Sequence, residues 1–361
     1  MPVQATTITV ANTNDNGLGS LRQALADAND GDTIDATGLS GVITLITGEL
    51  LVGKSVTISG TGADLLAIDG NASSRVFHIG SGERATISGL AIRNGHEDTI
   101  GAGVDNESGA TLTLTNSTIN GNTAGSVGSP AVEGGGIYNL GTLTIVNSTI
   151  SSNTAGGISG AGGGIFNGGT LTIVNSTVSA NTASTGGGVH NAAAATTVTI
   201  TNSTFSGNLA SAYGGACFNG GTMQIANSTF SGNSAFTGGG VLVFGPLQIG
   251  NTILNKGALG ANIGSFGGVT VTSLGYNLSS DNGSGHLTGP GDQINTDPVL
   301  GPLQDNGGST LTHALLRGSP AINAGDPSFT APPFFDQRGL GFPRVVRRRI
   351  DIGSFEVQRR Y

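Results

Sequence analysis

Short runs in which apolar and polar side chains alternate recur along this chain, each closed by Asn or Gly. The clearest is Thr142-Leu143-Thr144-Ile145, followed by Val146-Asn147-Ser148-Thr149-Ile150 and a further Asn153. A period of two marks a strand with one buried face. The same Asn-Ser-Thr word stands at Asn116, Asn147, Asn175, Asn202 and Asn227, at intervals of 31, 28, 27 and 25 residues. A Gly-rich entry and a short apolar word ending in Asn precede it, as in Gly136-Ile137-Tyr138-Asn139. Units of this period stack so that each buries its neighbour's apolar face.

The unit is too rich in β-formers and too short in apolar runs for helical repeats. It lacks the Leu ladder of leucine-rich repeats and falls short of the roughly 40 residues of a propeller blade. An all-β parallel β-helix remains, a single-stranded solenoid in which equivalent strands of successive coils pair about 4.8 Å apart. Less regular coils are expected at Val42–Leu45, Ser55–Ile58, Val76–Ile79 and Ala85–Ile87. The regular array runs over 101–255, and Gly267–Val271 adds a last strand, for roughly ten or eleven coils in all. Residues 17–29 form the best helix, with Leu18, Leu21, Leu25 and Ala28 on one stripe and Ser20 as N-cap. The expected organisation is an N-terminal strand and capping helix over 1–40, the β-helix over 41–272, and a loop-rich C-terminal cap over 273–361 that folds back over the last coil.

Stacking gives the repeated letters a structural meaning. Asn at one corner of every coil forms an amide ladder in which donors and acceptors pair with the coils above and below. Asn116, Asn147, Asn175, Asn202 and Asn227 are the expected ladder. Five Asn-Ser-Thr words in register read as a corner rather than as glycosylation acceptors.

Charge narrows the function. There are 14 Lys plus Arg against 22 Asp plus Glu, a formal net charge of −8, and no basic stripe for phosphate. Nucleic acid is therefore not an expected partner. From Gly134 to Asn255 there is no Asp, Glu, Lys or Arg at all. Cys217 is the only cysteine and replaces the Ile or Val of other repeats, so it reads as a small buried hydrophobe. The longest apolar runs are too short to cross a membrane as a helix. Met1-Pro2-Val3-Gln4 leads directly into strand-like Thr7–Val10, and the expectation is an exported chain whose leader has been removed.

Several words resemble a family of bacterial surface-exposed right-handed parallel β-helix proteins. Gly19-Ser20-Leu21-Arg22-Gln23-Ala24 is similar to that family's N-terminal Cys-Ser-Leu-Arg-Glu-Ala word, departing at Gly19 and Gln23. Gly134–Asn139 looks like the repeats of polymorphic outer-membrane proteins. In the tail, Leu300–Leu303, Asp305–Gly308, Thr312–Leu315, Gly318–Ile322, Asp336–Gly339 and Asp351–Glu356 together look like a choice-of-anchor Q region. The resemblance implies a right-handed coil, export and a place at the cell surface.

Chemistry has to be argued from side chains, because fold alone does not assign it. A β-helical glycosidase needs converging carboxylates, and a polysaccharide lyase needs a cation beside a Lys, Arg, His or Tyr base. The array offers few: Asp105, Glu107 and Glu133, then His190 and Tyr213 in later turns, set against a reading as solvated corner residues. His96, Glu97 and Asp98 form a polar loop that could hold a cation. In the tail, His313, Asp326, Asp336, Arg338, Asp351 and Glu356 read as charges pinning the cap, with Arg338 bridging Asp336 or Asp351. Arg347, Arg348 and Arg349 read as a solvated strand end. No cofactor is called for, while a structural cation such as calcium stays open. The leading expectation is a noncatalytic rigid scaffold or adhesin presenting loops to glycans or other cell-surface molecules. The alternatives are a polysaccharide lyase or glycoside hydrolase and, less favoured, an ice-binding face of Thr rows.

Overall fold

The structure, a computed structural model, describes residues 5–126, 129–193, 195–346 and 349–358. The chain is an all-β parallel β-solenoid of about 10 turns, divided into two compact units, Met1–Leu171 and Thr172–Tyr361. No helix among the described residues is long and apolar enough to cross a membrane.

In the first unit three long sheets, beside a fourth made of two-residue strands, run from coil to coil in register. One stacks Val56–Gly60, Arg84–Ser88, Thr111–Thr115 and Thr142–Val146, so that Ile58, Ile87, Leu114 and Ile145 form one fully buried row. A second stacks Leu66–Asp69, Ala91–Arg93, Thr118–Asn120 and Thr149–Ser151. The third stacks Leu50–Val52, Phe77–Ile79, Val104–Asn106, Ile137–Asn139 and Ile165–Asn167. Inward-facing apolar side chains meet one another across these coil boundaries, so apolar area is buried without loss of pairing register.

The N-terminal helix is shorter than the apolar stripe suggests. It spans Leu21–Asp27, capped by Ser20, whose hydroxyl accepts from the Gln23 backbone N–H. Leu21, Ala24, Leu25 and Ala28 are buried, but Leu18 is 94% exposed, because it sits in the turn before the helix begins. Arg22 then ties the helix to the coil below through Asp15 at 2.7 Å and the carbonyls of Gly48 and Glu49.

Two different asparagine positions divide the work that the sequence assigned to one. Asn116, Asn147, Asn175, Asn202 and Asn227 all lie in the left-handed region, with φ between 49° and 55°. Their common task is to turn the corner, which Asn tolerates better than most residues. Asn116 is exposed and Asn147 only half-buried, so in the first unit this row does not line a sealed interior. In the second unit the row also pairs from coil to coil, as expected, with Asn202 donating to Asn175 at 2.7 Å and Asn251 to Asn227 at 2.9 Å; in the first unit the sealed amide ladders are at neighbouring Asn positions. Asn106 donates to Asn139 at 2.6 Å, Asn139 to Asn167 at 2.7 Å, and Asn122 to Asn153 at 2.9 Å, all fully buried. The second unit repeats the device, with Asn181 donating to Asn208 and Asn208 to Asn233, each at 2.9 Å. The Ser of each word adds a third row, as where the Ser148 hydroxyl accepts from the Ser117 backbone N–H and donates to the carbonyl of Val146.

In the second unit the C-terminal region does more than close the last coil. Residues 289–296 lie against the final strands, where Gln293 and Pro290 exchange hydrogen bonds with Asn277, Ser279 and Tyr276. Beyond them the hairpin Leu300–Gln304 with Thr312–Leu315, and the loops to 357, run along the flank of several coils. Their footing is the row Thr177, Thr204 and Thr229. Gln337 donates to the Thr177 hydroxyl, the Thr204 hydroxyl donates to Gln337, and Ser354 bonds Thr229. These Thr are buried, whereas Thr118 and Thr149 at the equivalent place in the first unit are half-exposed. The same sequence word thus has a solvated or a covered face according to what the tail overlays.

Candidate functional site

On the third sheet of the first unit, strand alternation sends every second side chain outward. In Val104–Asn106 the flanking Val104 and Asn106 are fully buried in the core, so Asp105 points to the outer face. Register places Leu51, His78, Asp105, Tyr138 and Phe166 in one outward column, one per coil. The triple glycine before Tyr138 allows its strand to approach the next coil closely. A Cβ at Gly135 would stand 2.3 Å from the Thr154 carbonyl carbon.

Charged groups from neighbouring coils gather on this column. Arg75 reaches Glu49 at 2.8 Å and donates to the carbonyls of Gly101 and Ile100 at 3.0 Å, while Asp105 stands 3.7 Å away. His78 lies between two carboxylates, Nδ1 at 3.0 Å from Glu49 and Nε2 at 2.8 Å from Glu107. An ionised carboxylate only accepts, so both bonds form together only if both ring nitrogens carry hydrogen. The two contacts favour the imidazolium form of His78, which then clamps three successive coils. Burial pulls its pKa down, but the bonds to Glu49 and Glu107 prevail and hold it above the ordinary value.

The carboxyls diverge. Burial pushes Asp105 up, against the opposing pull of Arg75 and His78. Glu107, by contrast, is held down by the hydrogen bond from His78 and a further one from the Ser81 backbone N–H. Glu133 is raised by burial and accepts from the Tyr138 hydroxyl. Burial also raises the Tyr138 phenol, with Glu133 and Asp105 adding to the effect, and its ring stacks on Phe166 at 5.2 Å. Two environments thus separate two neighbouring carboxyls in acidity, an arrangement suited to acid and base roles.

The pairing of His78 sets a pH response. A group whose folded pKa lies above its unfolded value of about 6.5 stabilises fully below that pH and loses its contribution as pH rises through the folded value. Denaturation midpoints of the first unit are expected to fall as pH is raised from 6 to 8.5, and His78→Gln is expected to flatten that fall. A wild-type profile as flat as the variant's would contradict the clamp.

Of the residues singled out in the sequence, Asp105, Glu107 and Glu133 therefore share one face, joined by Arg75, His78 and Glu49, which sequence reasoning passed over. Arg75 and His78 lie 30 and 27 residues before Asp105, in the irregular coils where repeat spacing gives no register. His190 and Tyr213 belong to the second unit. His190 stacks on Phe218 at 4.5 Å and hydrogen-bonds Thr185, and burial lowers its pKa to about 4, leaving a neutral ring. His96 and Asp98 approach to 3.7 Å, and no group of three or more His, Cys, Asp or Glu suited to a metal ion occurs among the described residues.

The tail charges form a buried core of another kind. Arg338 pairs with Asp336, at 2.5 Å for the shortest contact, and lies between the rings of Phe342 and Phe355. Asp351 accepts from the backbone of Asn323 and Val357, and Glu356 from that of Asp351. Burial first, then the Asp351 charge, push Glu356 up to about 9. Arg344, not singled out in the sequence, is fully buried and donates to the Gly353 carbonyl at 2.5 Å. His313 is bound instead to Ser206 and the Gly301 carbonyl, and Asp326 caps a turn at Ser328. Arg349 donates to the carbonyls of Gly325 and Ala324, while Arg347 and Arg348 lie outside the described residues.

No protein-family profile matches the chain, and no curated protein does. Among solved structures, the crystal structure of pectate lyase Pel9A aligns with 98% of this chain and 97% of its own, with a TM-score of 0.55 at 16% identity. Likeness at that identity is one of fold, and what the chain shares with that enzyme is the right-handed parallel β-helix.

Proposed function

We propose that the protein is an exported or cell-surface β-helix that serves as a rigid scaffold and binds glycan on the outer sheet face of its first unit. The observation that carries this reading is the column His78, Asp105, Tyr138 and Phe166, which passes from charged to aromatic side chains at one residue per coil. A sugar chain offers hydroxyls for carboxylates and apolar ring faces for aromatic groups, and specific sites combine those two features. Support for export comes from the terminal words that resemble surface β-helix proteins and from an array kept soluble by Thr, Ser and Asn. Electrophoresis through gels containing neutral, acidic or amino polysaccharides provides the test. Retardation by at least one polysaccharide, lost on Asp105→Asn or Tyr138→Ala, is the expected result, and mobility unchanged by every polysaccharide would refute it.

A second reading, glycoside hydrolysis, is favoured by one observation, the opposite displacement of Asp105 and Glu107 in acidity. Asp105 would then protonate the leaving oxygen while Glu107 acts on the opposite side. Reducing ends released by the wild type and abolished in Asp105→Asn would establish that reading over simple binding.

A further inference from the structure

Asp105 is the one member of the cluster whose partners do not account for it. It is only 6% exposed, yet its carboxyl accepts no hydrogen bond from the described residues, and its nearest cation, Arg75, stands 3.7 Å away. Its oxygens are not sealed in, so apart from the ion pair with Arg75 they stand open to a donor from outside the chain. Its cationic neighbours hold their hydrogen bonds elsewhere, and Arg75 Nη1 approaches it only to 3.7 Å. Arg75 commits Nε, Nη1 and Nη2 to Gly101, Glu49 and Ile100, and His78 commits both ring nitrogens to Glu49 and Glu107. The face therefore holds four carboxyls, Glu49, Asp105, Glu107 and Glu133, against two cations that are already paired. A uronate would add a further carboxylate to this surplus, while Lys54 stands beside Glu49 and Leu51 at the far end of the column.

We infer that this face takes an amine-bearing glycan, an oligomer of 2-amino-2-deoxyhexose with free ammonium groups, the ammonium donating to Asp105 while the neighbouring sugar ring lies towards Tyr138 and Phe166. An ammonium supplies both the missing donor and the missing positive charge, and charge-assisted bonds of this type are the strong ones. The inference rests on glycan binding at this face and specifies the ligand. It also separates the site from any that would hold an anionic substrate with cations.

The test is calorimetric titration of the full chain with a glucosamine tetramer, its fully N-acetylated counterpart, and an oligogalacturonate of equal length, at pH 6 and low salt. The glucosamine tetramer is expected to bind about tenfold or more tightly than the acetylated one, and the oligogalacturonate not at all. Asp105→Asn should remove that preference, and Glu133→Gln should weaken it. Thermal melts verify that each variant is folded, and Asp105→Ser provides the same reading if the Asn variant is not. Equal binding of the acetylated tetramer, binding of the uronate, or an amine preference that survives in both Asp105 variants would overturn the inference while leaving glycan binding in place. Absence of binding by all three oligomers and by the polysaccharide gels would overturn the proposed function itself.

Discussion

Asp336→Ala is expected to destabilise the second unit by about 3–5 kcal/mol, the range for removing one partner of a buried ion pair. Asp336 is fully buried and accepts from Arg338 through Nε, Nη2 and the backbone N–H, and from the Glu356 backbone N–H at 2.8 Å. Removing it leaves the Arg338 guanidinium between Phe342 and Phe355 with one side of its fork empty. The penalty comes from the stranded charge rather than from the lost attraction. Asp336→Ala combined with Arg338→Met should therefore recover much of the loss, since replacing both partners removes the stranded group. Urea unfolding of the two variants measures this, and a single-variant effect below about 1 kcal/mol would mean that the pair is solvated.

Asn139→Ala should rank next, at about 2–6 kcal/mol, because it strands two buried amides at about 1–3 kcal/mol each. Asn106 loses the oxygen to which it donates at 2.6 Å, and Asn167 loses the donor at 2.7 Å. Asn147→Ala is the informative comparison. Its residue is half-buried and turns the corner at φ 49°, so the expected cost is the left-handed strain of about 1–2 kcal/mol. Equal losses at Asn139 and Asn147 would show that the two rows are not distinct in burial.

Much of the fold was legible because the coil-to-coil contact repeats the same letters. Period-two strands such as Thr142–Val146 meet copies of themselves, so sequence similarity and spatial neighbourhood coincide. The asparagine rows were legible as a pair of words but not in their division of labour, since a left-handed corner and an amide ladder both select Asn. The clustered face was harder to read. His78 and Arg75 reach Asp105 only through register, and the coil between them has its own length, so no spacing rule aligned them. The tail charges were visible as a group, yet Arg344 carried no local signal, because its burial depends on segments that fold over it. Leu18 shows the converse, an apolar residue in helical phase whose helix starts too late to bury it.

Cys217 occupies the inward place between Val189 and Val241 on the stacked strands and is wholly buried. Burial pushes its thiol far up, so almost no thiolate exists to meet an oxidant or an alkylating reagent while the coil is closed. The sulfur becomes reactive only when that coil opens. An otherwise disulfide-free chain can thus persist in oxidising surroundings unmodified, and the rate at which its lone sulfur is labelled becomes a clock for the opening of the array.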